Sequence, residues 1–149
     1  MKLKQKIYDH YLQAVHDKIT MLQMVLADLK ESVSNETKST AGDKHETALA
    51  MLQIEQANTR GQLQEVLTQK AALEKINPRL SATTVVLGSL IKTNRGYLYI
   101  SIASGKAIID GNSVIAISPQ SPLGQQLTGL SVSDVAEVNN KTYRIESIE

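Results

Sequence analysis

A regular alternation of apolar and polar residues marks the first part of the chain. Apolar side chains recur at steps of four and three residues, at Tyr8, Leu12, Val15, Ile19, Leu22, Leu26, Leu29 and Val33. This spacing is typical of a coiled-coil helix, because it keeps the apolar side chains on one face. No glycine or proline interrupts residues 1–41. We therefore predict one long helix over residues 3–33.

A second helix with a less regular stripe is predicted over residues 43–76. The polar segment 34–42 ends in Gly42, a residue that favours turns, and Asn77-Pro78 disfavours further helix. The stripe keeps its spacing but includes three polar residues: Leu49, Leu52, Gln56, Thr59, Leu63, Val66, Lys70 and Leu73. The pattern predicts an antiparallel hairpin with its tip at 34–42. It leaves open whether the two helices pair within one chain or are exchanged between copies.

From residue 81 onward the chain changes to short β-branched runs separated by turn signals. Strands are predicted over residues 83–87, 90–92, 97–103, 107–109, 114–117, 135–138 and 142–148. A short helix is expected at 120–127, after Pro119. The fold class is therefore α+β, with a hairpin domain at 1–77 and a small antiparallel β domain at 78–149.

Composition narrows the functional classes. The chain has no Cys, which excludes disulfides and thiolate metal sites, and no Phe or Trp, which leaves few rings for stacking nucleobases. The net charge of +1 lacks the positive excess of a general nucleic-acid binder. Neither a signal core nor a membrane-spanning apolar run is present. We expect a soluble cytoplasmic protein without a membrane partner.

Three segments resemble the bacterial Gre transcription elongation factors. Near the C-terminus, residues with matching spacing are Ser121, Pro122, Leu127, Gly129 and Asp134. The run Gly42-Asp43-Lys44-His45-Glu46-Thr47-Ala48 resembles the Gre tip motif Gly-Asp-x-x-Glu-Asn-Ala, and Glu55-Gln56 resembles a Glu-Gln pair that follows it. The order of parts also matches. The resemblance implies an FKBP-like β domain that docks on the rim of the RNA polymerase secondary channel.

The resemblance also implies a mechanism. The hairpin would enter the secondary channel, where Asp43 and Glu46 would hold Mg²⁺ jointly with the polymerase and stimulate cleavage of backtracked RNA. The chain itself would not be an enzyme, and its contact with nascent RNA would be indirect. Oxygen ligands suit this role, because Mg²⁺ is usually held by one or two carboxylates together with water and phosphate. The implied polymerase contacts are Gln120, Ser121 and Pro122.

Departures from the family pattern leave alternatives open. Thr47 stands in place of Asn, Ala50 in place of an aromatic residue, and Gln120 in place of an acidic residue. These changes suit a regulator that occupies the channel without stimulating cleavage. Asp43 and Glu46 also form the pattern of a helix-capping box, a role that does not exclude metal binding. A third possibility is a coiled-coil scaffold that self-associates into a homo-oligomer.

Other titratable and sulfur-bearing residues have simpler interpretations. His10 and His16 are six residues apart and do not share a helix face, so we expect them on the solvated surface. His45 is a weak candidate metal ligand. The lysines at 2, 4 and 6 are expected to form a solvated helix end, and the methionines at 21, 24 and 51 to pack between helices.

Overall fold

Two long helices occupy the first half of the chain, as predicted. The computed structural model describes residues 2–38 and 43–149, without the side chains of residues 43 and 44. Helix α1 spans Leu3–Thr37 and helix α2 spans Asp43–Glu74. Residues 34–37, predicted as part of the tip, are helical, since no glycine or proline stops the helix there. Helix α2 ends before residue 76, where Lys75 and Ile76 donate to carbonyls three residues back and so tighten the last turn.

The chain divides into two compact units. Met1–Leu12 and Ala71–Glu149 form one, called here the sheet unit, and Gln13–Lys70 form the other, the hairpin unit. The predicted boundary between residues 77 and 78 follows the change from helix to strand. In the compact units, the start of α1 and the end of α2 belong with the sheet.

The stripe predicted from residue spacing is the buried seam of the hairpin unit. Val15, Ile19, Leu22 and Leu29 of α1 are buried. On α2, Val66 and the polar Thr59 are buried on the same stripe. The Thr59 hydroxyl donates to the Glu55 carbonyl at 2.8 Å, which satisfies it within its own helix. Each buried aliphatic side chain contributes about 1.5–3 kcal/mol, so the seam can hold the two helices together within one chain.

The second half of the chain forms a six-stranded sheet with one short helix. The strands are β1 (Leu90–Thr93), β2 (Gly96–Ile100), β3 (Gly105–Ile109), β4 (Asn112–Ile117), β5 (Val135–Val138) and β6 (Lys141–Ile148), and helix α3 is Pro122–Leu127. Their order in the sheet is β3-β4-β2-β1-β6-β5. This confirms the α+β class of a helical hairpin followed by a β-rich part.

The sheet is mixed, so the prediction of a wholly antiparallel sheet is wrong at one pair of strands. Strands β2 and β4 are parallel, with Tyr97 opposite Val114. Residues 101–104 connect β2 to β3, which lies at the edge of the sheet. The chain then turns back and forms β4 between β3 and β2. The Ser101 amide donates to the Ile117 carbonyl at 2.8 Å, which fixes this crossing.

The predicted strand at residues 83–87 is wrong. This segment makes one isolated bridge, between Thr84 and Ser131. Val85 is fully buried and exchanges backbone hydrogen bonds of 2.9 Å with Leu130 and Gly129. Val85 is therefore a buried residue of a loop, and the neighbouring Val86 is exposed, so this β-branched run does not form a strand.

Two predicted turns have the backbone geometry of tight hairpins. Asp110 and Gly111 have φ of 52° and 77°, and Asn139 and Asn140 have φ of 53° and 64°. Positive φ at both central residues matches the twist of antiparallel strands and favours Asn, Asp and Gly. These turns set the β3–β4 and β5–β6 registers.

The sheet unit has a hydrophobic cluster on each face of the sheet. Neighbouring residues of a strand point to opposite faces, so Leu98 and Tyr99 of β2 belong to different clusters. On the Tyr99 side, Ile7 and Tyr11 of α1 pack against the sheet. On the Leu98 side, Leu127 of α3 packs against the sheet. The base of α1 and the short helix α3 therefore cover the two faces.

Candidate functional sites at the hairpin tip and the C-terminal motif

The two acidic residues singled out by the tip motif belong to the first turn of α2. The helix begins at Asp43, and Glu46, three residues further on, is exposed. Residues three apart on a helix are neighbours on its surface. The choice between a helix cap and a metal ligand depends on the Asp43 side chain, which lies outside the described residues. Glu46 is open to a partner.

An ion pair that the sequence did not reveal links the two helices near the tip. His45 Nδ1 lies 3.2 Å from Glu36 Oε1, and both side chains are mostly buried. The pair is ionic when His45 is protonated. Glu36 lies at the C-terminal end of α1, where the negative end of the helix dipole disfavours a carboxylate. It also faces the N-terminal end of α2, where the positive end of the dipole favours an anion. His45 therefore has a structural partner.

The described residues near the tip include an exposed carboxylate, Glu46, but no complete metal site. Within residues 2–38 and 43–149, side chains at 43 and 44 aside, no group of three or more His, Cys, Asp or Glu could hold a metal ion. The Glu46 carboxylate has the hard oxygen donors that Mg²⁺ prefers. Any remaining ligands would have to come from groups outside the described residues, such as the Asp43 side chain, or from a partner.

The methionines of the hairpin are not buried between helices, which corrects the packing prediction. Met21, Met24 and Met51 are exposed, Met51 by 65%. Ile54, one turn beyond Met51, is exposed by 61%. Glu55 is exposed, whereas Gln56 is half-buried in the seam. The surface of α2 behind the tip therefore mixes apolar and acidic groups.

The C-terminal motif builds the start of helix α3. Ser121 is the N-cap, and its hydroxyl accepts from the Gly124 amide at 3.0 Å and donates to the Ser118 carbonyl at 2.7 Å. Pro122 occupies the first helical position, where its missing N–H costs nothing. A Cβ on Gly124 would lie 2.1 Å from the Ser118 carbonyl oxygen, so only glycine fits.

The other motif residues also serve the fold. Leu127, the last residue of α3, is fully buried, Gly129 has a φ of +88°, and Asp134 Oδ2 accepts from the Ser131 amide at 2.8 Å. Among the three predicted polymerase contacts, Gln120 and Pro122 are exposed and Ser121 is half-buried. Each motif residue thus has a structural role, and of the three predicted contacts Gln120 and Pro122 are the two exposed to solvent.

The basic start of α1 is not simply a solvated helix end. Lys4 is only 6% exposed, and its Nζ donates to the Leu80 carbonyl at 2.7 Å. Burial lowers the pKa of Lys4, an effect that the nearby Glu149 carboxylate partly opposes. Lys6 Nζ pairs with Asp110 Oδ2 at 2.6 Å. Sequence spacing carried no signal for these partners, which lie far along the chain.

Two solved structures are similar to this chain. One is the crystal structure of GreA factor homolog 1 (Gfh1) protein of Thermus thermophilus, with 17% identity over 88% of this chain and 94% of that chain and a TM-score of 0.35. The other, of the transcription factor Gfh1, has 17% identity over 99% of this chain and 94% of that chain and a TM-score of 0.32. No protein-family model and no curated protein matches the chain. A likeness this distant assigns no role to any residue here.

No helix in the described ranges is long and apolar enough to span a membrane.

Proposed function

We propose that the chain is a Gre-type transcription factor that binds RNA polymerase and inserts its hairpin tip into the secondary channel. The observation that carries the proposal is an exposed carboxylate, Glu46, in the first turn of α2, within a segment that resembles the Gre tip motif. Asp43 begins the same helix. The C-terminal motif supports the proposal from an independent part of the chain.

The hairpin unit contains long helices with a buried seam, as insertion into a channel requires. At about 1.5 Å per residue, the part of α1 from residue 13 to 37 extends roughly 37 Å. Its apolar seam is buried within one chain, by residues such as Leu22 and Val66. A self-associating scaffold would need that seam to pair helices between chains, so this burial favours the polymerase factor over the scaffold.

In the proposed reaction the polymerase carries out the chemistry. Asp43 and Glu46 would hold a Mg²⁺ ion through their carboxylate oxygens, jointly with the polymerase. When bound there, the ion would supply an activated water for hydrolysis of the backtracked RNA. The chain supplies position and negative charge and is not itself an enzyme. Gln120 and Pro122, exposed beside the α3 cap, are the proposed contacts to the channel rim.

A second candidate is a factor that occupies the channel without stimulating cleavage. Thr47 and Ala50 are both exposed on the first two turns of α2, where the family pattern has Asn and an aromatic residue. The surface next to Glu46 therefore differs from the pattern. Polymerase binding without transcript cleavage would select this candidate.

The test is transcript cleavage in a halted, backtracked complex of purified bacterial RNA polymerase. Wild-type protein should accelerate cleavage, and Asp43→Ala with Glu46→Ala should lower the rate at least about tenfold, a loss of roughly 1.4 kcal/mol of transition-state stabilisation. Glu31→Ala with Glu65→Ala is the control, because it removes the same charge from exposed positions farther along each helix from the tip. Equal rates for the tip variant and wild type would refute the proposed role of the tip.

A further inference from the structure

Two adjoining clefts in the sheet unit form a basic surface that neither the tip nor the α3 cap includes. The larger, of about 650 Å³, is lined by Lys2, Lys4, Arg79, Ser81 and Glu149. The smaller, of about 290 Å³, is lined by Lys4 and Ser81 again, together with Lys75, Leu80, Val86 and Leu87. Because they share Lys4 and Ser81, they form one surface. We call it the basic cleft.

The residues that line the basic cleft carry more positive than negative charge. Within the described part of the chain, the side chains of Lys2, Lys75 and Arg79 have no hydrogen-bond or ion-pair partner. Glu149 is the one acidic residue among the lining residues. Helix α1 also begins here, with no acidic residue in its first turn to complement the positive end of its dipole. The charges therefore favour an anionic partner.

The same surface exposes aliphatic side chains. Leu80 is 67% exposed, and Val86 and Leu87 are each 43% exposed. Aliphatic groups next to unpaired cations are complementary to a polypeptide that carries both carboxylates and aliphatic side chains. RNA is a poorer complement, because none of the lining residues is aromatic and base stacking needs such rings.

We infer that the basic cleft binds an acidic segment of a partner protein, with aliphatic side chains of that segment packing on Leu80, Val86 and Leu87. This inference rests on the proposed function, since the partner is then RNA polymerase. It adds a second contact, separate from the tip and from the α3 cap. Lys2, Lys75 and Arg79 supply charge at its edge, while Lys4 stays bonded to the Leu80 carbonyl.

The experiment measures the affinity of labelled full-length protein for purified bacterial RNA polymerase. The test variant carries Lys2→Glu, Lys75→Glu and Arg79→Glu. The control carries Lys92→Glu, Lys106→Glu and Lys141→Glu, three exposed lysines of the same unit, so the net charge changes equally. We expect the test variant to bind at least about tenfold more weakly and the control within about twofold of wild type. The dependence of affinity on salt should also become shallower in the test variant.

Two further variants separate charge from contact and from folding. Leu80→Ser removes exposed aliphatic surface without changing charge and should weaken binding about threefold or more, in line with lost apolar burial. A neutral version with Gln at positions 2, 75 and 79 should fall between wild type and the Glu variant. Unchanged circular dichroism of each variant establishes that the fold is retained.

The outcomes distinguish the inference from the proposed function. If wild type binds and the test variant binds equally well, the basic cleft is not a docking surface and the proposed function stands. If wild type does not bind polymerase, both are contradicted. If a labelled single-stranded RNA binds wild type and is lost in the test variant, the acidic-protein partner is wrong.

Discussion

Two stacked tyrosines in the sheet unit should respond in opposite ways to the same substitution. Loss of the hydroxyl should stabilise the protein at one position and destabilise it at the other. Tyr11 and Tyr99 are both buried, with ring centroids 6.3 Å apart. The Tyr11 hydroxyl donates to the Gly105 carbonyl at 2.9 Å. The Tyr99 hydroxyl has no hydrogen-bond partner among the described residues. Replacing either tyrosine with phenylalanine keeps the ring and removes only the hydroxyl.

The expected magnitudes follow from the state of each hydroxyl. A buried polar group without a partner costs about 1–3 kcal/mol, so Tyr99→Phe should raise the free energy of unfolding by about 1 kcal/mol or more. A satisfied hydrogen bond contributes about 0.5–1.5 kcal/mol, so Tyr11→Phe should lower that free energy by this amount.

The assay is urea unfolding of both variants and wild type, followed by circular dichroism at neutral pH. An unchanged slope with denaturant indicates that the difference lies in stability and not in compactness. If Tyr99→Phe destabilises the protein as much as Tyr11→Phe does, the Tyr99 hydroxyl has a partner in solution and the reasoning is refuted.

Three further predictions concern other contacts. Gly124→Ala should lower the free energy of unfolding by about 2 kcal/mol or more, because its Cβ would meet a backbone oxygen at 2.1 Å. In the same urea unfolding assay Gly61→Ala, whose Cβ would meet nothing within 4 Å, should raise the free energy of unfolding by about 0.5–1 kcal/mol. A smaller loss in Gly124→Ala would contradict the close contact. Burial raises the pKa of Tyr99, so above about pH 10 the unfolded state loses this proton first. Tyr99 alone should then lower the stability by up to about 1.4 kcal/mol per pH unit, so stability should fall less steeply in Tyr99→Phe. Equal slopes for wild type and Tyr99→Phe would disprove this cause. A double-mutant cycle of Glu36→Gln and His45→Gln should give a coupling of about 0.2–1 kcal/mol. A coupling of zero would show that the pair is absent in solution.

The helices and most strands could be predicted because the spacing of apolar residues along the chain shows which side chains share a buried face. The steps of three and four residues through Val15 and Leu22 identified the seam of α1. They also placed the polar Thr59 on the buried stripe of α2, where the structure has it. Strand order could not be predicted in the same way. Alternating side chains show that a segment is a strand but not which strand lies beside it, so the parallel pairing of β2 and β4 was missed.

The candidate sites were only partly within reach of the sequence. The tip motif placed Asp43 and Glu46 at the start of α2 because its residues are contiguous. The bond from Lys4 to the carbonyl of Leu80 joins groups 76 residues apart, and no local pattern encodes it. The basic cleft was missed for the same reason. Its lysines looked like an ordinary solvated helix end until the fold brought Arg79 and Lys75 beside them.

The central claim is that the hairpin tip reaches the catalytic centre of RNA polymerase. Its most direct test is photo-crosslinking from position 47, next to Glu46, in a backtracked polymerase complex. Position 68, an exposed site on the same helix, is the control. The proposed function predicts crosslinks from position 47 to the polymerase segment that binds the catalytic magnesium. It predicts no crosslinks from position 68 to that segment. Crosslinks confined to the outer surface of the polymerase, or absent from position 47, would contradict it.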